Sequence, residues 1–488
     1  MSVELDRDAL VERSPERLSP RERLELLCDA GSLQVIRSEV CSRRMGDRAR
    51  PGDGVVGASG SIDGRPIVCY AQDAGFAGGS LGEAHADTIV RVLRLAREAR
   101  VPVVGFVQSG GARMQEGVAA LGGYGRIFAE NVALSGRVPQ ISVITGTSAG
   151  GGSYSPALTD FVVMTPDASM FLTGPSVVRE VLGEDVSTAE LGGVRVHQRN
   201  GVCHFAAPSD VDSIFLTREI LSYLPANAWE PPPRIPPADP PGDDPAAHVP
   251  AEGRRVYDVR HVIGAIVDDG RSLEVAGKWA RNMVTALARI DGRSVGIVAN
   301  QPRHLGGVID GEAAQKAARF VRTCNSYGLP LVVLVDAPGF LPGRRQETGA
   351  VIRHGAKLLH AFCEATVPRL TVVLRKAFGG AYITMNSKDL GADLTLAWPR
   401  AEIGVMGARP AVGIIRRREI AEAVDGDALQ DQLAGEYAEE HLSALHAARQ
   451  GFIDEVIEPG ETRQRLGWAL AMLSRREGGQ GDAGNIPL

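Results

Sequence analysis

The chain is written twice. IDGRPIVCYAQDAGFAGGS, starting at Ile62, lines up with IDGRSVGIVANQPRHLGGV, starting at Ile290, an offset of 228 residues. VPVVGFVQSGG from Val101 lines up with LPLVVLVDAPG from Leu329 at the same offset, and VPQISVITGTSAGGGSYSPALTDFVVM from Val138 with VPRLTVVLRKAFGGAYITMNSKDLGADL from Val367 at 229. Three blocks in register over so long a span argue for two copies of one fold in tandem. Between them PPPRIPPADPPGDDPAAHVP is too proline-rich and polar to form a core and reads as an extended linker. The expected division is residues 1–230, a linker 231–250, and residues 251–488.

Within each copy a short apolar run of β-forming residues gives way to a Gly-rich turn and then a helical segment: VPVVGFV to SGGAR, QISVIT to GTSAGGG, LVVLVD to APGF, LTVVL to RKAFGG. Strands alternating with helices predict an α/β layer architecture. A helix over about Arg21 to Cys28 is expected to pack on the first copy.

At 488 residues, 44% apolar and 23% charged, the chain is an ordinary globular sequence too long for one core. A net charge of −6 gives no support to a nucleic-acid partner, though a local basic patch for an anionic ligand stays open. Cys28, Cys41, Cys69, Cys203, Cys324 and Cys363 are scattered, without C-x-x-C pairs or histidines at ligand spacing, so no metal site is expected. The N-terminus MSVELDRDALVERSPERL lacks the apolar core of a signal peptide, and no run approaches a membrane span; a soluble, cytoplasmic protein is expected.

GTSAGGGSYSPAL, residues 146–158, satisfies G-x-S-x-G between a strand and a helix, the context of a nucleophilic serine. Alternatively the N–H groups of Gly150 and Gly151 form an oxyanion hole. The duplication bears on the choice: at an offset of 229, Gly150 and Gly151 face Gly379 and Gly380, while Ser148 faces Ala377. The second copy keeps the glycines and loses the serine. A structural use, close packing of helix on strand, stays open beside the catalytic one.

His85, His197, His204, His304 and His354 show no known sequential pattern with Ser and Asp, and Glu83, Glu116 and Asp336 sit where helix capping is the default. Arg113 in SGGAR and the Arg344–Arg345 pair are candidates for an anionic ligand. Two oxyanion holes without a protein base suggest a reaction in which one ligand deprotonates the other.

SGGARMQEG, PQISVITGTSAGGGSYSPALTDF, TAELGG, VGIVANQP, KAARFVRTC, DAPGFLPG, EATVP, RKAFGGAY, SKDLGAD, AWPRAEIGVMGA and the closing GNIPL resemble the biotin-dependent acyl-CoA carboxyltransferases, and most closely the β subunits of the propionyl-CoA carboxylase type. The resemblance runs from about Arg21 to Leu488. It implies two tandem crotonase-like (ClpP/crotonase) domains and a ring-shaped hexamer, with active sites where the N-half of one subunit meets the C-half of another. It implies that carboxybiotin releases CO2, that the biotin ureido anion takes the α-proton of the acyl-CoA, and that the enolate attacks the CO2. By motif match Gly150 and Gly151 hold the thioester side and Gly380 and Ala381 the biotin side, with Ser109, Gly110, Gly111, Ala112, Arg113, Tyr154, Tyr382 and Ile383 as substrate-binding positions. With no M-K-M biotinylation motif and no ATP-binding carboxylase region, a separate biotinylated biotin-carboxylase or carrier subunit is expected.

The departures concern substrate. Ile383 stands where propionyl-type members commonly carry an acidic residue, Arg344 and Arg345 replace a Val-Asp pair, and Arg409 and Pro410 replace Gln and Gly. They point to an acyl-CoA other than, or in addition to, propionyl-CoA. Rival readings are a decarboxylase of malonyl- or methylmalonyl-CoA type, a GTSAGG serine hydrolase acting through Ser148, and a degenerate scaffold subunit.

Overall fold

The computed structural model describes residues 17–242, 244–474 and 484–485. The N-terminal stretch inspected for a targeting signal falls almost wholly outside these residues, as does most of GNIPL. Two compact units divide between Pro232 and Pro233, the first also taking in Gly484 and Asn485.

Each unit is built on one eight-stranded sheet. In the first, the strands in spatial order are Gln34–Ile36, Val55–Ile62, Arg65–Gln72, Val103–Ser109, Gln140–Ala149, Phe161–Met164 and Phe205–Ala206, with Ser169–Phe171 also pairing on Gln140–Ala149. In the second the order is Ser272–Glu274, Met283–Ile290, Arg293–Asn300, Leu331–Ala337, Arg369–Phe378, Leu394–Ala397 and Glu455–Val456, with Glu402–Gly404 on Arg369–Phe378. The first three strands of each sheet are antiparallel and the rest parallel. The duplication seen in sequence is thus a duplication of topology.

The central parallel strands Val103–Ser109 and Leu331–Ala337 are buried at every residue, because helices cover both faces. Glu83–Ala99 and Gly311–Ser326 occupy equivalent places; Asp310 caps the second through its side chain on the Ala313 N–H. The expected N-terminal helix spans Pro20–Leu27, opened by a Ser19–Glu22 capping box, and buried Arg23 ties it to Asp210 at 2.8 Å. The segment after Pro232 lies along its own unit's sheet: the Ile235 N–H donates to the Gly292 carbonyl at 3.1 Å, Arg234 bridges to Arg293, and Pro245 is buried.

Both sheets share one irregularity. Val107 lies opposite Ile144, but Ser109 lies opposite Ser148; Val335 lies opposite Val373, but Ala337 opposite Ala377. Over the same stretch the longer strand takes two additional residues, which bends its end out of the sheet just before the Gly pair.

Candidate active site at two strand-to-helix corners

The bent strand Gln140–Ala149 passes through Gly150 into the helix Gly151–Ala157. Gly150 has φ 56° and ψ −125°, a conformation closed to residues with a Cβ, and Gly379, leading into Gly379–Thr384, has φ 57°. The two corners therefore match at the offset of 229 that the sequence gives.

The Gly150 N–H donates to the Phe171 carbonyl at 2.9 Å, continuing the pairing of Ala149 with Phe171. That corrects the expected donor pair, since Gly150 sets the turn but its N–H already has an acceptor. The next two N–H groups, Gly151 and Gly152, open the helix and have no intrahelical acceptor. They stand opposite Gly380 and Ala381, the pair the family motif marks in the second copy.

What surrounds these positions explains their residue types. A Cβ on Gly151 would come within 2.8 Å of the Tyr124 ring, and one on Gly152 within 2.9 Å of Ser148 Oγ and 3.0 Å of Ser109 Cβ. In the second copy Ser148 and Ser109 become Ala377 and Ala337, and the position of Gly152 carries a methyl, Ala381. The hydroxyl and the methyl exchange places between copies. Ser148 is fully buried within the strand, two residues before the turn, and its Oγ has no partner among the described residues. A buried serine without a histidine is no nucleophile, which removes the hydrolase reading.

Ser109 is buried, its Oγ 2.9 Å from Tyr124 Oη. Gly110 lies so close to the Gly78 carbonyl that a Cβ would approach it to 2.7 Å, Gly111 has φ 95°, and Ala112 bridges to Leu81. Gly111 faces the Ala149 carbonyl, 3.6 Å from where its Cβ would be, so this turn borders the corner. Arg113 does not face a ligand. It is fully buried, 2.6 Å from Asp53 and 2.8 Å from Glu116, and donates to the Ser80 carbonyl at 3.0 Å. Burial raises the Asp53 carboxyl; for Glu116 it is outweighed by the Glu83 N–H, the Ser42 hydroxyl and Arg113, which keep that carboxyl low. Burial and the Arg113 charge push neighbouring His85 down to about 3, so it is neutral. The cluster is a structural clamp, and the expectation of Arg113 as an anion ligand is withdrawn.

Tyr154 is half exposed and edge-on to Phe128, which stacks on Tyr124. In the second unit the Phe340 ring lies 3.6 Å from a Cβ built on Gly380. Tyr382 Oη reaches the Phe452 carbonyl at 3.4 Å, and burial pushes the phenol up to about 12. Ile383 is 47% exposed beside that corner. Arg344 and Arg345 are exposed on Arg344–Thr348. Arg409 pairs with Asp427 at 2.8 Å and Asp431 at 2.9 Å, and Pro410 is the third residue of Ala408–Ile415, where a missing N–H breaks no helical bond. The sequence did not mark Tyr124, Phe340 or Phe171, whose roles come from contacts distant along the chain.

These paired corners carried on two copies of one crotonase-like sheet define a class, and residues 12–480 match the model of the carboxyl transferase domain: the chain belongs to that family. It is 48% identical over 483 residues to the propionyl-CoA carboxylase carboxyltransferase subunit of Haloferax mediterranei, covering 97% of this chain and 94% of the relative. It is 46% identical over 483 residues to the methylmalonyl-CoA decarboxylase subunit alpha of Veillonella parvula, covering 97% and 93%. Among solved structures it is similar to transcarboxylase 12S, described as a hexamer with methylmalonyl-coenzyme A and methylmalonic acid bound, at 46% identity and a TM-score of 0.92 over 99% of this chain and 94% of that one.

Proposed function

We propose that the chain is the carboxyltransferase subunit of a biotin-dependent acyl-CoA carboxylase, moving CO2 to the α-carbon of an acyl-CoA through an enolate. The observation that carries the proposal is the doubled corner: two positive-φ glycines, each followed by a pair of backbone N–H groups without an intrahelical acceptor. Gly151 and Gly152 hold the thioester oxygen as it gains charge, where losing one such donor typically costs about 2.7–4 kcal/mol of barrier. Gly110, Gly111 and Ala112 border that site, and Tyr154 lies at its rim. Gly380 and Ala381 hold the ureido oxygen of biotin. The fit there is favourable: the Phe340 ring gives a flat apolar wall, and Tyr382 and Ile383 flank it. When bound, biotin supplies the CO2 and the base for the α-proton, so the chain's own contribution is positioning and charge stabilisation.

The reading includes a homohexamer, a biotinylated partner subunit and a cytoplasmic location. Ile383 supports an acyl group other than, or in addition to, propionyl, since an exposed aliphatic side chain there offers apolar contact where relatives place a charge. The test is ¹⁴C-bicarbonate fixation by the chain mixed with a biotinylated carboxylase subunit from the same source, over acetyl-, propionyl-, longer-chain and carboxylated acyl-CoAs. Incorporation into one or more establishes the reaction and its substrate. The second reading, a decarboxylase, is favoured by the 46% identity to the Veillonella subunit; it predicts no incorporation and CO2 release from malonyl- or methylmalonyl-CoA.

A further inference from the structure

An aromatic ring lies against the backbone of each corner, and the two rings come from opposite walls. In the first copy it is Tyr124, on the helix Val118–Leu134, whose ring carbons lie 2.8 Å from a Cβ built on Gly151. In the second it is Phe340, from the loop after Leu331–Ala337, whose ring lies 3.6 Å from a Cβ built on Gly380 and 3.2 Å from one built on Gly355 of the helix Val351–Glu364. An offset of 228 sets Phe340 opposite Ala112; an offset of 228 or 229 sets Tyr124 opposite Ile352 or Arg353, both exposed. The ring has changed sides, and in each copy the wall that does not supply it offers a small residue in its place.

The change of side has a physical consequence. Phe340 is part of the loop, so its contact with the corner ties loop and corner together through the covalent chain. Tyr124 belongs to the helix, and its ring alone leaves the SGGA loop untied. Its hydroxyl closes that gap: Tyr124 Oη lies 2.9 Å from Ser109 Oγ, which also accepts the Gly111 N–H at 3.3 Å. Ser109 Cβ is in turn 3.0 Å from a Cβ built on Gly152. The two side chains therefore touch both residues that open the helix and the turn that borders them. In the second copy Ser109 becomes Ala337, so neither hydroxyl is kept.

Both side chains are buried, and burial raises the Tyr124 phenol against the opposing effect of Ser109, so the phenol keeps its proton at neutral pH. Packing alone does not fix the corner on this side. A cavity of about 20 Å³, lined also by Tyr70, Gln72 and Ser155, borders Gly152 and Tyr124.

We propose that Tyr124 and Ser109 are a positioning pair for the thioester corner: their hydrogen bond holds the Ser109–Ala112 turn at a fixed distance from the Gly151–Gly152 backbone, as Phe340 does by covalent attachment in the second copy. The inference rests on the carboxyltransferase reading above. Spacing of this kind counts most when charge develops on the thioester oxygen, so its loss falls on kcat rather than on KM.

The experiment uses the intact purified assembly and measures carboxyl transfer to free biotin from malonyl-, methylmalonyl- and ethylmalonyl-CoA, with the best of the three carried forward. The carboxyl group leaves the α-carbon for the biotin nitrogen, and the proton from that nitrogen goes to the α-carbon. Tyr124→Phe, which keeps the ring on Gly151, is compared with Ser109→Ala, the double variant and the unmodified chain. Each single variant is expected to lower kcat about tenfold or more, with KM for the CoA ester within about twofold and the thermal midpoint within about 2 °C. The double variant is expected to fall within about twofold of the slower single variant, because the two residues act as one unit. A kcat for Tyr124→Phe within about twofold of the unmodified chain, a loss confined to KM, losses that multiply in the double variant, or a larger fall in the midpoint overturns the pair. No transfer from any of the three esters by the unmodified chain overturns the carboxyltransferase reading itself, and the pair's role with it.

Discussion

The exchange of hydroxyl and methyl between the corners makes a quantitative claim about Gly152. Replacing it with alanine places a methyl 2.9 Å from Ser148 Oγ and 3.0 Å from Ser109 Cβ, in a site where both serines are buried. Alanine is the better helix former by about 1 kcal/mol, but overpacking a buried site costs about 1–3 kcal/mol, so Gly152→Ala is expected to destabilise the first unit by about 1 kcal/mol. Ser148→Ala deletes a buried hydroxyl with no partner among the described residues and should be close to neutral by itself. In combination the two reproduce the Ala377–Ala381 arrangement of the second unit, and the propensity gain is no longer opposed. The pair should then couple by about 1–2 kcal/mol in favour of the double variant, which for a unit of this size is a recovery of about 2–8 °C in thermal midpoint. Differential scanning calorimetry of the four proteins at one concentration measures it. If Gly152→Ala leaves the midpoint unchanged, or Ser148→Ala does not restore it, the packing argument is wrong.

Three further outcomes follow from other parts of the molecule. Arg113→Met strands Asp53 and Glu116 in a site without solvent and should lose about 3–5 kcal/mol of stability, read by urea unfolding; retention of the parental midpoint would mean the clamp is dispensable. Lys316 is buried, its ammonium donating to the Trp279 and Met283 carbonyls, and burial pulls it from an ordinary 10.5 down to about 8. Because the unfolded chain then holds the proton that the folded chain releases, stability relative to Lys316→Met should rise between pH 8 and 10.5, by up to about 3 kcal/mol, and be flat below pH 8; a flat difference throughout refutes it. Ile383→Asp should change the ratio of kcat/KM between propionyl-CoA and a longer acyl-CoA by about tenfold without moving the midpoint, and an unaltered ratio would remove Ile383 from specificity.

The duplicated strand-to-helix pattern and the two corners were legible because a repeat constrains itself: a Gly pair kept at one offset while Ser148 became Ala377 already separated glycine from serine. The identity of the donors was not. Gly150 looks like half of a pair until Phe171, 21 residues on, takes its N–H. Arg113 reads as an anion ligand in its local SGGAR setting, and only folding brings Asp53, 60 residues away in sequence, against it. Pro410 reads as a disruption until it falls in the first turn of a helix, and the partners of Arg409 come from Gly426–Tyr437, an element absent from any local pattern. Strand and turn signals are local, whereas the pairing of buried polar groups is decided by what the fold brings together.

The shared bend in the two long strands also dates the molecule's history. Both copies skip register at the same place and both turn on a glycine with almost the same φ. Two independent acquisitions of so specific a defect are far less economical than one inheritance, so the corner existed in a single-sheet ancestor before the gene was doubled. Every difference between the corners was acquired later: serines against alanines, and a sealed ion cluster of Asp53, Arg113 and Glu116 against Arg281, Leu341 and Arg344 at the matching positions. The pairs Ser148–Ala377, Gly152–Ala381 and Asp53–Arg281 are a record of how one ancestral pocket became two specialists.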